Sequence, residues 1–312
     1  MDVAITGSNG LIGSALARSL EHDGYRVVRV VRPGSPAVSG DAVMWDPRNG
    51  VIDRDGLDGL DAVVHLAGAG IGDRRWTPER KEEILRSRTE GTALLTSTLA
   101  SVPSPPSVLV SGSATGYYGD GGGDELTESS PAGRGFRAEV VAAWEAAAAP
   151  AIEAGIRTVF VRTANVLTPN GGLLPYLLTP FRLGLGTRFG SGRQWFPWIT
   201  LDDEVAVIRF AIESPTLRGP VNAAAPEPVT NRDLVTILGR VLRRPAPWIA
   251  PALVLRLIAG AERADEALLS SAKVVPAALE RAGFAFGDPE LEPALRRLLA
   301  PEEARTARVP VR

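Results

Sequence analysis

The sequence predicts an α/β protein: a doubly wound parallel sheet with a smaller, mainly helical C-terminal lobe. Three observations carry that prediction. The strand-like run Asp2-Val3-Ala4-Ile5-Thr6 leads straight into Gly7-Ser8-Asn9-Gly10-Leu11-Ile12-Gly13 and then into a helix-like Ser14–Leu20. Through the first half, β-branched apolar runs alternate with helix-like stretches, the pattern of a parallel sheet covered on both faces. Beyond residue 165, proline and glycine cluster, and from Asn231 onward come helices separated by proline-rich joints such as Arg244-Pro245-Ala246-Pro247.

The elements follow in order. After the first strand and helix, Arg26–Val31 reads as the second strand and Ala42–Trp45 as a short third. Asp61–Gly68 is a strand ending in small residues. A helix spans Thr77 to about Ser101, with Pro78 in the first turn, where its missing N–H costs nothing. Ser107–Ser111 is a strand, Phe136 to Ala154 an alanine-rich helix, and Arg157–Arg162 another strand. Val205–Ile212 reads as helical, and Val221-Asn222 as a return to the main sheet. The expected division is 1–165 for the first domain, joined by 198–224; 166–197 and 225–300 form the second, and 301–312 a flexible tail. No internal repeat is visible.

The glycine turn has a chemical reading. Glycines let the backbone turn tightly and approach a pyrophosphate, whose charge rests on the free N–H groups of the helix start. About 20 residues further on, such a unit commonly places an acid on the ribose 2′-hydroxyl. Here no acid lies between Gly24 and Gly40, and Arg32 stands at the end of the second strand. A guanidinium there can hold a 2′-phosphate through two N–H groups, which favours NADP over NAD. Arg26 and Arg29 read as solvated strand residues.

Composition narrows the classes. The 34 basic and 36 acidic side chains leave a net charge of −2, no electrostatic case for nucleic acid or an anionic membrane. Cysteine is absent, excluding disulfides, thiol catalysis and thiolate metal sites. No apolar run is long enough to cross a bilayer, and a strand starting at residue 2 leaves no space for a leader, so a cytoplasmic protein is expected.

These pieces together resemble the extended short-chain dehydrogenases/reductases, and within them the atypical epimerase family branch, some of whose members carry a cell-division-inhibitor label. The resemblance runs from the glycine turn to about Leu299. Beyond that turn it is carried by Leu66-Ala67-Gly68, Arg75-Trp76-Thr77, Ser87-Arg88, Gly116-Tyr117-Tyr118-Gly119-Asp120 and Trp144-Glu145-Ala146-Ala147. Later markers are Pro180–Gly186, Gly190–Gln194, Trp198-Ile199 with Asp202-Asp203, and Ala225-Pro226-Glu227-Pro228. The resemblance implies an NADP-binding Rossmann domain with its cleft roofed by the second lobe. It implies cofactor contacts at Arg32, Leu66, Ala67, Glu83, Arg88 and Leu167, beside Gly7, Gly10, Leu11, Ile12, Gly13 and Gly68.

The family's chemistry does not carry over intact. Ordinary members use Tyr-x-x-x-Lys on a helix, the lysine assisting a tyrosine whose ordinary pKa is about 10. The corresponding helix, Phe136–Glu145, has neither residue. Ser111, Ser113, Tyr117 and Tyr118 remain as proton-bearing groups. Ser113 and Tyr117 are the catalytic candidates, Ser113 binding substrate by hydrogen bond and Tyr117 donating a proton. Glu139 reads as an exposed helix carboxylate. Trp76, Tyr118, Arg193 and Trp195 are the substrate candidates, with Arg74, Arg75 and Arg162 as further readers of an anion or ring. His22 reads as a surface residue and His65 as a hydrogen-bonded core residue. Asp202-Asp203 fits capping of a helix start, and no spacing suggests a metal.

The expected activity is that of an NADP(H)-dependent oxidoreductase or epimerase-like enzyme acting on a small carbonyl, alcohol or sugar-nucleotide-like substrate. Two alternatives stand beside it: a non-catalytic NADP(H)-binding or redox-sensing module, and a non-redox isomerase or cyclase. A small-molecule substrate is the expected partner, with a homodimer as an open second.

Overall fold

The β-branched runs become strands of a single eight-stranded sheet in the computed structural model, which describes residues 1–35, 40–72 and 74–300. The tail expected at 301–312 lies outside the described residues. In chain order the strands are β1 (Asp2–Thr6), β2 (Arg26–Val31), β3 (Ala42–Asp46), β4 (Val51–Ile52), β5 (Ala62–His65) and β6 (Val108–Ala114). Then come β7 (Glu125–Leu126), β8 (Arg157–Thr163), β9 (Asn165–Thr168), β10 (Gly171–Gly172), β11 (Thr187–Phe189), β12 (Trp195–Phe196), β13 (Trp198–Thr200) and β14 (Gly219–Ala223). The large sheet runs β14-β8-β6-β5-β1-β2-β3-β4, and only its β3–β4 pair is antiparallel. The chain builds outward from β1 through β2 and β3, then crosses back to add β5, β6, β8 and β14. The order therefore reverses between β1 and β5, and a ligand crevice is expected beyond their carboxyl ends.

Helices cover both faces. On one side α1 (Leu11–His22) and, later in the chain, α6 (Leu201–Glu213) bury Leu16, Leu20 and Ile208 against Val3, Ile5, Val110 and Val161. On the other, α2 (Pro78–Leu99) buries Leu95 and Leu99 against Ala4, Val28, Val63 and Leu109. Thr77 caps α2 by accepting from the Arg80 N–H, with Pro78 just inside. The helix expected over 136–154 is two: α3 (Phe136–Ala146) and α4 (Ala149–Glu153), where Pro150 tolerates only a first-turn position. The second lobe holds α5 (Leu174–Arg182), α7 (Asn231–Leu242) and α8 (Ala252–Ala259), with its own core of Leu174, Phe181, Trp198, Leu234, Leu238 and Leu295.

One expectation is corrected here. Asp203 does not cap α6; Thr200 does, accepting from the Asp203 N–H. The buried Asp203 carboxylate instead accepts from the N–H groups of Gly287 (2.8 Å) and Asp288 (2.9 Å), far along the chain. Asp202 pairs with Arg297 at 2.7 Å. Both acids tie the C-terminal segment to the sheet domain.

Candidate functional site: the cleft at the strand ends

The glycine turn is built so that side chains are excluded. Gly7 has φ +68°, and a Cβ there would stand 2.9 Å from the Leu66 carbonyl carbon. A Cβ on Gly13 would stand 2.3 Å from the Gly7 carbonyl oxygen, so only glycine lets α1 start this close to the turn. The Ser8 hydroxyl within the turn is buried and has no partner among the described residues. A buried polar atom without a partner costs free energy, and a ligand oxygen can relieve it.

Over this turn opens a cavity of 840 Å³. Gly7 to Gly10 line it, as do Arg32 and Ser35 at the end of β2, Arg48 in the β3–β4 hairpin, and Leu66 to Gly70 beyond β5. Glu83 contributes from α2. Seven sequence candidates thus share one cavity: Gly7, Gly10, Arg32, Leu66, Ala67, Gly68 and Glu83. Glu83 is ion-paired to Arg80 at 2.6 Å, and that hydrogen-bonded arginine holds its carboxyl below the usual range. The sequence reading missed Arg48 and Ser35. Arg26 is ion-paired with Asp2 and Asp41 at the surface, as expected, whereas Arg29, paired with Glu21, is mostly buried and not the solvated residue expected.

Other candidates act at one remove. Leu11 packs on Gly171 and Gly172 of the second lobe, where a Cβ on Gly171 would stand 2.8 Å from its Cδ1. Ile12 packs on the sheet core. Leu167 is fully buried among the second-lobe core, so its side chain cannot meet a ligand and only its main chain can. Arg88 lies under Gly68, with Nη1 donating to the carbonyls of Ala69 and Ile84. Its guanidinium stands over the Trp144 ring at 5.1 Å, and burial pushes its pKa down to about 10. His65 is buried between Thr6 (2.7 Å) and Thr92 (3.0 Å), and burial lowers it to about 4, so it is neutral. The Thr6 hydroxyl oxygen also accepts from the N–H groups of Leu66 and Ala67, shaping the end of β5.

At the end of β6 lies a closed polar network. The Ser113 hydroxyl donates to Glu145 at 2.6 Å, and Arg162 holds the same carboxylate with two bonds of 2.8 and 2.9 Å. Burial alone would lower the Arg162 pKa, but Glu145 overrides it and holds the guanidinium firmly charged. The guanidinium carbon sits 3.5 Å from the Tyr117 ring centre. The Tyr118 hydroxyl donates to Asn222 at 2.6 Å and accepts from Arg162 at 3.0 Å.

Four sequence expectations are corrected by these contacts. Tyr118 is 2% exposed with its hydroxyl fully engaged, so it is a core strut and not a substrate contact. Arg162 is spent on Glu145 and the tyrosines. Arg75 is spent on the carbonyls of Leu257 and Ile258, closing the 70–76 segment onto the second lobe. Trp76 anchors that segment: its Nε1 donates to the Ile71 carbonyl and its ring meets Phe136 edge-on. Arg193 is exposed on the loop before β12. The Trp195 N–H donates to Ser271, and Lys273 stands 5.4 Å from its ring. Glu139 is exposed on α3.

Two carboxylates, one buried and one half-buried, escaped the sequence reading. Glu204 accepts from Thr163 at 2.7 Å through Oε1, while Oε2 has no partner; burial pushes its pKa up to about 8. At the start of α3, the Glu266 carboxylate accepts from the N–H groups of Phe136 and Arg137, both at 2.9 Å. Gly135, at φ +100°, makes room for it: a Cβ there would stand 2.6 Å from Oε1.

The sequence matches the NAD dependent epimerase/dehydratase family over residues 3–224 and a domain of unknown function, DUF1731, over 250–298. It is 44% identical over 284 residues to an epimerase family protein of Mycobacterium bovis, covering 91% of this chain and 93% of that one. The crystal structure of the human epimerase family protein SDR39U1 with NADPH superposes with a TM-score of 0.87 at 34% identity, covering 96% and 99% of the two chains. A nucleoside-diphosphate sugar epimerase from Corynebacterium glutamicum superposes with a TM-score of 0.78 at 37% identity, covering 96% of this chain and 58% of its own. With its Rossmann-type sheet and its DUF1731 segment, this chain belongs to the NAD-dependent epimerase/dehydratase family, on the SDR39U1-like branch of the extended short-chain dehydrogenases/reductases.

Proposed function

We propose that this chain binds NADPH in the cavity over its glycine turn and reduces a small carbonyl compound, or epimerises a sugar-nucleotide-like one. The observation that carries this reading is the cradle itself: Gly7, Gly10 and Gly13 leave no room for side chains, and the Ser8 hydroxyl waits unpartnered among them. Arg32, Ser35 and Arg48 line one side of the cavity with donors and two fixed positive charges, which suits a 2′-phosphate. That the human relative was crystallised with NADPH supports the same assignment. When bound, the dinucleotide supplies a hydride that adds to a carbonyl carbon, while the carbonyl oxygen takes up a proton.

The chain's own part is to orient and to manage that proton. Because Ser113 gives its hydrogen to Glu145, its oxygen is left to accept from a substrate hydroxyl, and the serine–carboxylate pair can hold the proton between them. The Tyr117 hydroxyl is the second donor, on a ring fixed under Arg162. The binding-module reading draws on one specific fact: α3 has no tyrosine and no lysine. Turnover separates the two. NADPH oxidation is measured against a panel of aldehydes, ketones and keto sugars with the wild type, Ser113→Ala and Tyr117→Phe. Consumption that falls at least about tenfold in one variant supports the enzyme. Tight NADPH binding with no consumption across the panel supports the module.

A further inference from the structure

The half-buried Arg137 forms no ion pair among the described residues, and the charge of Glu266 offsets its burial only in part. It sits in the first turn of α3, and its side chain curls over the Thr115–Tyr118 turn that follows β6. Gly116 leaves the space for it: a Cβ there would stand 3.1 Å from Nε and 3.3 Å from Nη2. Nη1 donates to the main-chain carbonyl of Glu266 at 2.8 Å. The remaining N–H groups, on Nε and Nη2, have no hydrogen-bond partner among the described residues. The carboxylate of Glu266 is close, yet both its oxygens are taken by the N–H groups of residues 136 and 137. Burial lowers the Arg137 pKa, and the field of Glu266 offsets that only in part.

Its place in the fold separates it from the other arginines considered for the cleft. Arg75 gives Nη2 to two carbonyls of the second lobe, Arg88 gives Nη1 to two carbonyls under Gly68, Arg162 is bonded to Glu145 and Tyr118, and Arg193 is open to water. Arg137 places a half-buried guanidinium, backed by Gly116 and with its Nε and Nη2 donors unbonded, on the turn that follows the strand carrying Ser113. A half-buried guanidinium with two unbonded donors is completed best by two oxygens of one planar or tetrahedral anion.

We infer that Arg137 is the receptor for an anionic group of the substrate, a carboxylate or a phosphate, held at the carboxyl end of β6 beside Ser113. This rests on the reading that the cleft holds a small substrate next to a nicotinamide, and it narrows that substrate to anions. Glu266 serves as its positioning residue, fixing the first turn of α3 from the C-terminal lobe. A neutral sugar or an alkyl ketone leaves the guanidinium uncompensated and binds weakly.

The test is a calorimetric titration of the full chain, with and without saturating NADPH, using malonate and inorganic phosphate at constant ionic strength. The wild type saturates with malonate if the group is a carboxylate, with phosphate if it is a phosphoryl group. Arg137→Gln weakens that binding at least about tenfold, which corresponds to about 1.4 kcal/mol. Arg137→Lys retains part of it, because the charge stays and the paired donors go. Both variants keep the melting temperature and the NADPH affinity of the wild type. No saturation with either anion, or equal binding by Arg137→Gln, overturns the inference. A chain that takes up the anion through Arg137 but does not bind NADPH leaves this inference standing and removes the cofactor assignment instead.

Discussion

The two ends of the cleft are built on opposite plans. Around the glycine turn, space is kept by missing side chains, the Ser8 hydroxyl is unpartnered, and Arg32 and Arg48 face a cavity. At the end of β6, Ser113, Glu145, Arg162, Tyr118 and Asn222 satisfy one another in a closed chain of hydrogen bonds. The first end keeps a polar group without a partner among the described residues; the network at the second has its members bonded to one another. Function is therefore most legible where the protein leaves polar groups waiting. It is least legible where residues of the right chemical type have already found partners.

The sharpest way to break the comparison is at its closed end. Arg162→Met strands the buried Glu145 carboxylate and is expected to cost roughly 3–5 kcal/mol of stability, read from urea unfolding. A loss under about 1 kcal/mol would mean that the network is not closed in the way described. At the open end, Gly13→Val forces a side chain into the Gly7 carbonyl and should weaken NADPH at least about 100-fold, or about 2.7 kcal/mol, in a fluorescence titration. Unaltered affinity there would remove the cradle from the argument. Arg32→Glu should lower the preference for NADPH over NADH by about 10- to 100-fold, since a hydrogen bond to a charged group contributes about 1.5–3 kcal/mol. A variant that keeps its preference would shift the clamp to Arg48.

The last effect is a pH slope, modest over any one unit. Glu204 has its pKa pushed from 4.5 up to about 8 by burial, so the folded chain keeps a proton that the unfolded chain loses between those values. Stability from this group is complete at acidic pH and falls as pH rises through that window, by at most about 1.4 kcal/mol per unit. Glu204→Gln should flatten the slope and melt higher than the wild type near pH 8. Parallel pH profiles for the two proteins would show that Glu204 is ionised in the fold.

Local grammar was enough for the scaffold. The strand–glycine–helix opening, Pro78 after Thr77 and the β-branched runs each act over a few residues, and the sheet formed as that pattern requires. The neutral, core-bonded His65 and the surface pairing of Arg26 were legible for the same reason. What escaped is long-range. Whether Arg75 is free depends on carbonyls at 257 and 258, and Asp203 answers to donors at 287 and 288. Arg137 and Glu266 meet across 129 residues, through a glycine whose only sign in the sequence is that it is a glycine. Residue type announces capacity; only the partner decides whether that capacity is still available.

The Asp203 contacts have a practical consequence for anyone dividing this chain. Glu128 likewise receives the N–H groups of both Asn222 and Ala278, and Asn222 donates to the Val275 carbonyl. A fragment ending at residue 224 would strip partners from the interior of the first domain and leave the Asp203 carboxylate without the N–H groups of Gly287 and Asp288. The last sixty or so residues act as a tie-rod for the first domain, so truncation should yield insoluble material where full-length expression gives folded protein.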